Sequence, residues 1–256
     1  MIPKRALGDV LTALGDALFA EPHGILATDA DGTLWSGDVG IDAFHVLLTR
    51  GLLHDDALGV LLEEARAYGV SDALAPTEQA RQLFEAEQRG DYPGDRACAM
   101  MAWIYAGLSA AEMRTFAREV VATHNLPGRL QPEAMAVLRW ASERSVPVVV
   151  VSASPLAVVE AAVDFLPGPR PHVIAMRPCE ERGRLLPRVA TPLPYGPGKA
   201  KAIRATYGDR PVLAAMGDSG FDAEMLKLAR FPLAVRPKES LRRSHEDIAE
   251  LAELTA

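Results

Sequence analysis

The stretch Asp29-Ala30-Asp31-Gly32-Thr33 decides the fold, because it directly follows an apolar run at residues 24–27 that is typical of a buried strand. Two carboxylates, one residue apart at the carboxyl end of a strand, suit metal-assisted phosphoryl transfer, since the first can attack phosphorus while the second gives or takes a proton. The glycine lets the backbone turn sharply into a loop beside them. Asp and Gly are also ordinary turn residues, so the stretch alone is equally compatible with a simple loop.

The composition of the 256-residue chain argues against several classes of protein. An apolar fraction of 49% supports a sizeable core, and a net charge of -7 with scattered basic residues argues against a nucleic-acid partner. The two cysteines, Cys98 and Cys179, lie far apart, which argues against a disulfide scaffold and against a structural zinc site. A reducing cytoplasm is therefore the simplest location.

The first twenty residues predict an amphipathic helix that packs on the body of the protein or on another subunit, so a homodimer stays open. Asp9 and Asp16 interrupt this segment and argue against the apolar part of a signal peptide. The chain has no run of about 18 uncharged apolar residues, the length that a membrane span needs. We therefore predict no membrane partner.

Strand and helix patterns alternate in the second half of the chain, which predicts a parallel sheet in an α/β protein. The predicted strands are residues 146–151, 172–176, 211–216 and 231–235, the predicted helices are residues 132–144, 156–166, 199–207 and 223–230, and residues 183–189 belong to a predicted hairpin. Ser154 and Pro155 suit the N-cap and the first turn of the helix that carries Leu156.

Residues 41–126 have a helical pattern without a strand signal of comparable strength. Asp29 and Ser152 each follow a predicted strand but are 123 positions apart, whereas a βαβ unit needs only about 30 residues. The surplus predicts a helical cap that is inserted after the first strand and lies over the carboxyl ends of the sheet. We place the core domain at residues 1–37 and 129–256, and the cap domain at residues 38–128.

Polar residues follow several predicted strands or begin a predicted helix. They are Asp29 with Asp31, Ser152, Lys199, and Asp218 with Asp222. Because the carboxyl ends of parallel strands meet at one edge of a sheet, we expect these side chains to share a crevice. Carboxylates suit Mg²⁺, a hydroxyl with neighbouring amides suits phosphate oxygens, and a lysine neutralises charge on a transferring group.

Some of these residues also have a purely structural explanation. Ser152 can cap the turn that follows it, although Ser154 fits that role better. Lys201 lies two residues after Lys199 and offers the same charge. Asp222 can simply favour the start of the next helix.

The order, spacing and chemistry of these residues resemble the haloacid dehalogenase superfamily. Its pattern is Asp-x-Asp-x-Thr, then Ser or Thr after an apolar strand, then Lys, then Gly-Asp with a second acid four residues later, and this chain supplies all four parts. The helical insertion is most similar to the phosphoserine phosphatase branch, which has a C1-type cap. The resemblance implies an α/β fold with a Rossmann-like parallel sheet core and an inserted helical cap domain.

The resemblance also implies a role for each carboxylate. Asp29 is the nucleophile that forms an aspartyl-phosphate, and Asp31 protonates the leaving oxygen and later activates water. Mg²⁺ is the implied cofactor, held by Asp29, by the backbone carbonyl of Asp31 and by Asp218. Asp222 steadies metal-bound water or Lys199.

The remaining implied roles concern the phosphate. Thr33 orients the loop, and Ser152 binds the phosphoryl group together with the backbone amide of Ala153. Lys199 is preferred to Lys201 as the phosphate lysine, because it directly follows the glycine loop where the lysine of the family lies.

Asp31 and the predicted cap argue against two of the reactions that members of this superfamily catalyse. Dehalogenases lack an aspartate at this second position, and phosphonate-cleaving members use a cap lysine, whereas residues 38–128 contain no lysine. Asp38 lies nine positions after the nucleophile, where the phosphoserine phosphatase branch has an acid that faces the substrate ammonium group. Apolar residues 99–103 stand where that branch has an arginine for the substrate carboxylate, which favours an amino-alcohol phosphate such as phosphocholine over phosphoserine.

A cationic substrate group could stack on Trp35 or Trp103, although both side chains also suit core packing. Two other functions stay open, a phospho-accepting regulatory protein and a catalytically silent binding protein of the same fold. Receiver domains, the phospho-accepting class, are about half this length and lack a large insertion. We therefore predict Mg²⁺-dependent hydrolysis of a small organic phosphomonoester, the class that includes phosphoserine and phosphocholine.

Overall fold

A seven-stranded sheet lies at the centre of the computed structural model, which describes residues 1–255. Its strands are β1 (Lys4–Ala6), β2 (Ile25–Thr28), β3 (Val148–Pro155), β4 (His172–Met176), β7 (Val212–Gly217), β8 (Ala229–Ala234) and β9 (Ala252–Thr255). The spatial order is β1-β9-β8-β7-β2-β3-β4, and every neighbouring pair is parallel. The strands β5 (Pro178–Glu181) and β6 (Arg184–Val189) form a separate antiparallel hairpin. The predicted parallel α/β core is confirmed.

The helices cover both faces of the sheet. They are α1 (Leu7–Ala20), α2 (Val39–Thr49), α3 (Asp55–Ala67), α4 (Pro76–Arg89), α5 (Gly94–Trp103), α6 (Ala110–Thr123), α7 (Pro132–Glu143), α8 (Leu156–Val163), α9 (Pro197–Tyr207), α10 (Ala223–Leu226) and α11 (Glu239–Arg243). Alternate side chains of β2 enter different clusters, Leu26 on one face and Ile25 with Ala27 on the other. A continuous apolar strand is what a sheet buried on both faces requires.

Six helices, α2 to α7, stand between β2 and β3 in the chain, and the first five, α2 to α6, form the helical insertion that the length of this segment predicted. The chain enters and leaves this insertion at adjacent positions, because the Ser36 N–H donates to the Arg129 carbonyl at 2.9 Å and the Gln131 N–H to the Leu34 carbonyl at 2.9 Å. Arg129 also binds Asp42 at 2.6 Å. These contacts lie at the predicted domain boundaries, residues 37–38 and 128–129, which stay a prediction.

The β5–β6 hairpin extends the layer that the insertion forms. The Gly107 N–H donates to the Leu185 carbonyl at 2.9 Å, and the Leu185 N–H donates to the Leu108 carbonyl at 2.8 Å. The hairpin, which lies outside the predicted cap at residues 38–128, is therefore part of the same layer as the helices of the insertion.

The first helix packs on the body of the protein. Val10, Leu14 and Ala17 of α1 are buried in the same apolar cluster as Leu26 of β2. No helix within residues 1–255 has the length and apolar character needed to cross a bilayer.

Two local predictions were wrong. The predicted helix at 223–230 ends at Leu226, because Ala229 and Phe231 pair with Val212 and Ala214 of β7 and the chain becomes strand β8. Ser154 does not cap α8, since β3 continues to Pro155 and no side chain caps that helix. The short elements β1, β9 and α11 have too few residues to show a period in the sequence.

Helix α6 begins with a side-chain cap at Ser109. The Ser109 hydroxyl accepts the Glu112 backbone N–H at 3.2 Å, and the Glu112 carboxylate accepts the Ser109 N–H at 2.7 Å. This reciprocal pair satisfies two N–H groups that the first turn leaves free.

Ser109→Ala is expected to lower the free energy of unfolding by about 1 kcal/mol, because the Glu112 N–H loses its partner. Urea denaturation followed by circular dichroism measures this change. Thr115→Ala on the exposed side of the same helix is the matched control, with an expected change below about 0.5 kcal/mol. Equal losses in the two variants would contradict the capping role.

Candidate active site

The carboxyl ends of β2, β3 and β7 open into one cavity of about 210 Å³. It is lined by many of the predicted site residues, namely Asp29, Asp31, Asp38, Ser152, Ala153, Lys199 and Asp218. The register between β3 and β4 shifts between Val151 and Pro155, and residues 152–154 of this irregular segment line the cavity. The insertion contributes Glu87 of α4 with Cys98 and Met101 of α5. The cavity therefore lies between the sheet edge and the insertion, as predicted.

Lys199 is the buried cation of the site. Its ammonium group lies 2.5 Å from Asp29 Oδ1 and 2.6 Å from Asp222 Oδ1, and only 5% of its side chain is exposed. Burial alone would lower the pKa of Lys199, but Asp222 and Asp29 raise it above its usual range, so the side chain stays charged. The alternative lysine, Lys201, is exposed and outside the cavity lining.

Asp29 is held in one orientation by two donors. Lys199 binds Oδ1, and the Thr33 hydroxyl donates to Oδ2 at 3.0 Å. Burial and the neighbouring Asp222 raise the pKa of Asp29 well above its usual range, while Lys199 opposes this shift. Thr33 is fully buried and does not line the cavity, so its predicted role in orienting the loop fits better than direct phosphate binding.

Three carboxylates form a group suited to a hard divalent cation. Asp29, Asp218 and Asp222 each place one oxygen within 4.8 Å of the others, and oxygen donors are the ligands that Mg²⁺ prefers. Asp222 Oδ1 binds Lys199, and Asp222 Oδ2 accepts the backbone N–H groups of Asp218 at 3.2 Å and Ser219 at 3.0 Å. Asp222 therefore positions Asp218 and Lys199, and Asp29 with Asp218 are better placed to hold a cation. The side chain of Asp31 does not belong to this group.

The Asp31 carboxylate is fixed from two sides. Its Oδ1 accepts the Trp35 indole N–H and the Val39 backbone N–H, both at 2.8 Å. Its Oδ2 accepts the hydroxyls of Ser154 at 2.8 Å and Ser152 at 3.3 Å. Trp35 is fully buried and outside the cavity lining, so the predicted stacking of a substrate cation on Trp35 was wrong. Its indole positions Asp31 instead.

Asp38 lines the cavity and also caps α2 by accepting the Ile41 N–H at 2.8 Å. Burial and the nearby Asp31 raise the pKa of Asp38 to about 7. Trp103, the second predicted stacking residue, is buried in the core and does not line the cavity. Tyr195 and Phe221 do line it, with ring centroids 4.8 Å apart.

Several residues of the site were missed by the sequence analysis. Ser154, Glu87, Tyr195, Phe221 and Lys238 all line the cavity. The Lys238 ammonium lies 2.8 Å from Asp218 Oδ2. The sequence did offer a signal for Lys238, because it follows the predicted strand at residues 231–235 and residues after parallel strands converge at this edge.

Gly32 allows the two acidic loops to approach each other. Its φ of +86° is left-handed, and a Cβ at this position would lie 1.9 Å from Asp218 Oδ2. Gly51 has a similar φ of +61°, but no atom lies within 4 Å of the place that a Cβ would occupy there. Alanine at Gly51 would introduce backbone strain alone, whereas alanine at Gly32 would introduce backbone strain and a clash with Asp218. Comparing the two positions therefore measures the clash.

Gly32→Ala is expected to lower the free energy of unfolding by clearly more than the roughly 1 kcal/mol of strain expected for Gly51→Ala. The excess arises because Asp218 must move away from the new methyl group. Urea denaturation of both variants measures the difference. Equal losses would show that the close approach of Gly32 to Asp218 is unimportant.

The fold is similar to several solved structures. A protein with unknown function from Bordetella pertussis Tohama I is 19% identical, with a TM-score of 0.71 over 91% of this chain and 98% of that chain. A phosphoserine phosphatase from T. onnurineus is 19% identical, with a TM-score of 0.51 over 91% and 90%. Cytosolic 5'-nucleotidase IIIB bound to cytidine is 13% identical, with a TM-score of 0.56 over 94% and 84%. At these identities the likeness concerns the fold.

The family follows from the sequence itself. None of the curated proteins matches the chain. Residues 26–227, which contain every predicted motif, match the family described as haloacid dehalogenase-like hydrolase. This match confirms the resemblance inferred from the motifs and covers well over half of the chain. The protein therefore belongs to the haloacid dehalogenase-like hydrolase family.

Proposed function

We propose that this protein is a phosphatase that hydrolyses a small organic phosphomonoester through an aspartyl-phosphate on Asp29, with Mg²⁺ as its cofactor. The observation that carries the proposal is the convergence of Asp29, Lys199 and Asp218 in one cavity beside Asp31. Membership of a hydrolase family and a fold similar to that of phosphoserine phosphatases support it. The predicted cytoplasmic location and homodimer stay predictions.

Asp29 is the proposed nucleophile. Its two oxygens are oriented by Lys199 and Thr33, so the carboxylate does not have to be ordered when a substrate enters. Ser152 and Ala153 line the same cavity, and the Ser152 hydroxyl and the Ala153 backbone amide are the proposed donors to the phosphoryl oxygens. Mg²⁺ held by Asp29, Asp218 and the Asp31 carbonyl would neutralise negative charge on the carboxylates and the phosphate.

Asp31 is the proposed acid and base. Because Oδ1 already accepts two N–H groups, a proton on this carboxyl belongs on Oδ2. Ser152 and Ser154 lie within hydrogen-bond distance of Oδ2 and hold it at the cavity wall. From this atom a proton can pass to the leaving oxygen, and water can later be deprotonated there.

Residues 38–128 are proposed to act as the cap that excludes water from this reaction. Their contribution to the cavity is two acids and two less polar side chains, Asp38, Glu87, Cys98 and Met101. No arginine appears in the cavity lining among residues 1–255. An ammonium group on the substrate would therefore meet acids at this wall, whereas a carboxylate would find no arginine partner.

We infer that the substrate is an amino-alcohol phosphate, such as phosphoethanolamine or phosphocholine. Asp38 and Glu87 supply negative charge, and the Tyr195–Phe221 pair supplies an aromatic surface for the organic cation in place of the two predicted tryptophans. The Tyr195 hydroxyl and the Glu87 carboxylate both lie beside Gly94 at the start of α5, and they are therefore near each other. The aromatic pair and this acid therefore lie on one side of the cavity.

Asp29→Asn is expected to abolish phosphate release from amino-alcohol phosphates, because an amide cannot form the aspartyl-phosphate. A malachite-green assay with Mg²⁺, and with EDTA in a parallel sample, measures this loss. Asp209→Asn, an exposed matched control, should retain full activity. Continued turnover by Asp29→Asn, or in EDTA, would contradict the mechanism, and a long-lived phosphoprotein without released phosphate would favour the regulatory alternative.

The preference for an amine is expected to depend on pH through Asp38. This carboxyl gains its charge as the pH rises through about 7, so the ratio of kcat/KM for phosphoethanolamine to that for ethyl phosphate should increase about fivefold between pH 6 and pH 8. Each kcat/KM is calculated per phosphate dianion, because the ammonium group makes the phosphate of phosphoethanolamine more acidic than that of ethyl phosphate. Asp38→Asn keeps an N-cap residue and should remove this pH dependence.

Glu87 is tested in the same assay. Glu87→Gln is expected to lower the ratio, whereas Glu85→Gln, an exposed residue on the same helix, should leave it unchanged. A ratio that is flat with pH in the wild type and insensitive to Glu87→Gln would remove the amine from the proposal while leaving the phosphatase assignment intact.

A further inference from the structure

Lys238 is a second cation at the site, and no motif of the family assigns it. It lies directly before α11, with its ammonium group 2.8 Å from Asp218 Oδ2. Its backbone N–H also donates to the Asp218 carbonyl at 2.7 Å. The backbone contact keeps Lys238 beside Asp218 even when its side chain moves.

The two lysines of the site differ in how firmly they are held. Lys199 is buried between Asp29 and Asp222 and cannot leave without exposing two buried carboxylates to each other. Lys238 binds a single carboxylate, and 62% of its side chain is exposed, compared with 3% for Asp218. Because the Lys238 side chain is largely exposed and has a flexible stem, its ammonium group can move into solvent at a lower cost than that of Lys199.

Lys238 binds one of the carboxylates that fit a divalent cation. Asp218 belongs to the carboxylate group that fits such a cation, and its Oδ2 is the atom that binds the lysine. An ammonium ion and a divalent cation cannot share this oxygen at close range without strong repulsion. Binding of the cation at Asp218 therefore drives Lys238 away from this carboxylate by repulsion.

We propose that Lys238 holds Asp218 in the place of a divalent cation and, once the cation binds, transfers to the phosphate group of the substrate. The new partner lies within reach, because Lys238 lines the same cavity as Ser152 and Lys199. The inference rests on the divalent-cation site of the proposed function, but it does not depend on the identity of the alcohol.

The exchange makes cation and phosphate binding cooperative. Without phosphate, Lys238 competes with the cation and weakens its binding. With phosphate, the displaced ammonium gains a dianionic partner, so each ligand strengthens the binding of the other by the same factor.

The experiment is calorimetric titration of Mg²⁺ into the full chain, with and without inorganic phosphate. It compares wild type, Lys238→Met and Lys201→Met, the last as a matched loss of one exposed lysine charge. In the absence of phosphate, Lys238→Met should bind Mg²⁺ at least about threefold more tightly than wild type, because the ion pair with the largely exposed Lys238 no longer competes with the cation. Phosphate should strengthen Mg²⁺ binding in wild type at least threefold more than in Lys238→Met, and Lys201→Met should match wild type.

Two results would overturn the inference. Lys238→Met could bind Mg²⁺ no more tightly than wild type, or it could bind more tightly by the same factor with and without phosphate, which indicates a general charge effect. If wild type binds no Mg²⁺ at all, the cation site of the proposed function fails as well. Circular dichroism of each variant shows that the fold is retained.

Discussion

The site depends on one buried ammonium group. Lys199 binds both Asp29, which follows β2, and Asp222, which follows β7. Lys199 and Asp29 are 170 residues apart in the sequence. Each of the three charges alone would be costly in the interior, since burial raises the pKa of Asp29 and opposes the charge on Lys199. Together they compensate, and the ion pairs fix the start of α9 against the carboxyl edge of the sheet.

The same edge requires very close backbone approaches. A Cβ at Gly217 would lie 2.6 Å from the Cβ of Asp222, and a Cβ at Gly32 would overlap Asp218 Oδ2. Only glycine fits both positions, so the loops after β2 and β7 can bring three carboxylates into one group. The parallel sheet sets the coarse position of each loop, and these glycines set the final approach.

The sequence predicted the parts of the site that stand directly after strands, because that location depends only on local patterns. It did not predict the partners of Asp31. Trp35 reaches that carboxylate from a segment held by the chain leaving the insertion near Leu130, and Ser154 reaches it through an irregularity in β3. Lys238 follows a predicted strand, which brings it to this edge, but its contact with Asp218 also depends on a backbone hydrogen bond that no spacing rule encodes.

The lysines and the additional acids of the cavity come from different parts of the chain. The cations Lys199 and Lys238 bind carboxylates at the sheet edge, where the phosphate is proposed to bind, whereas the insertion supplies the acids Asp38 and Glu87. With the proposed Mg²⁺ bound among the carboxylates of the sheet edge, a substrate with phosphate at one end and an ammonium group at the other would be favoured in one direction. The strand-end motifs therefore predict the chemistry, whereas the substrate is proposed to be selected by the insertion, whose helical pattern in the sequence reflects core packing.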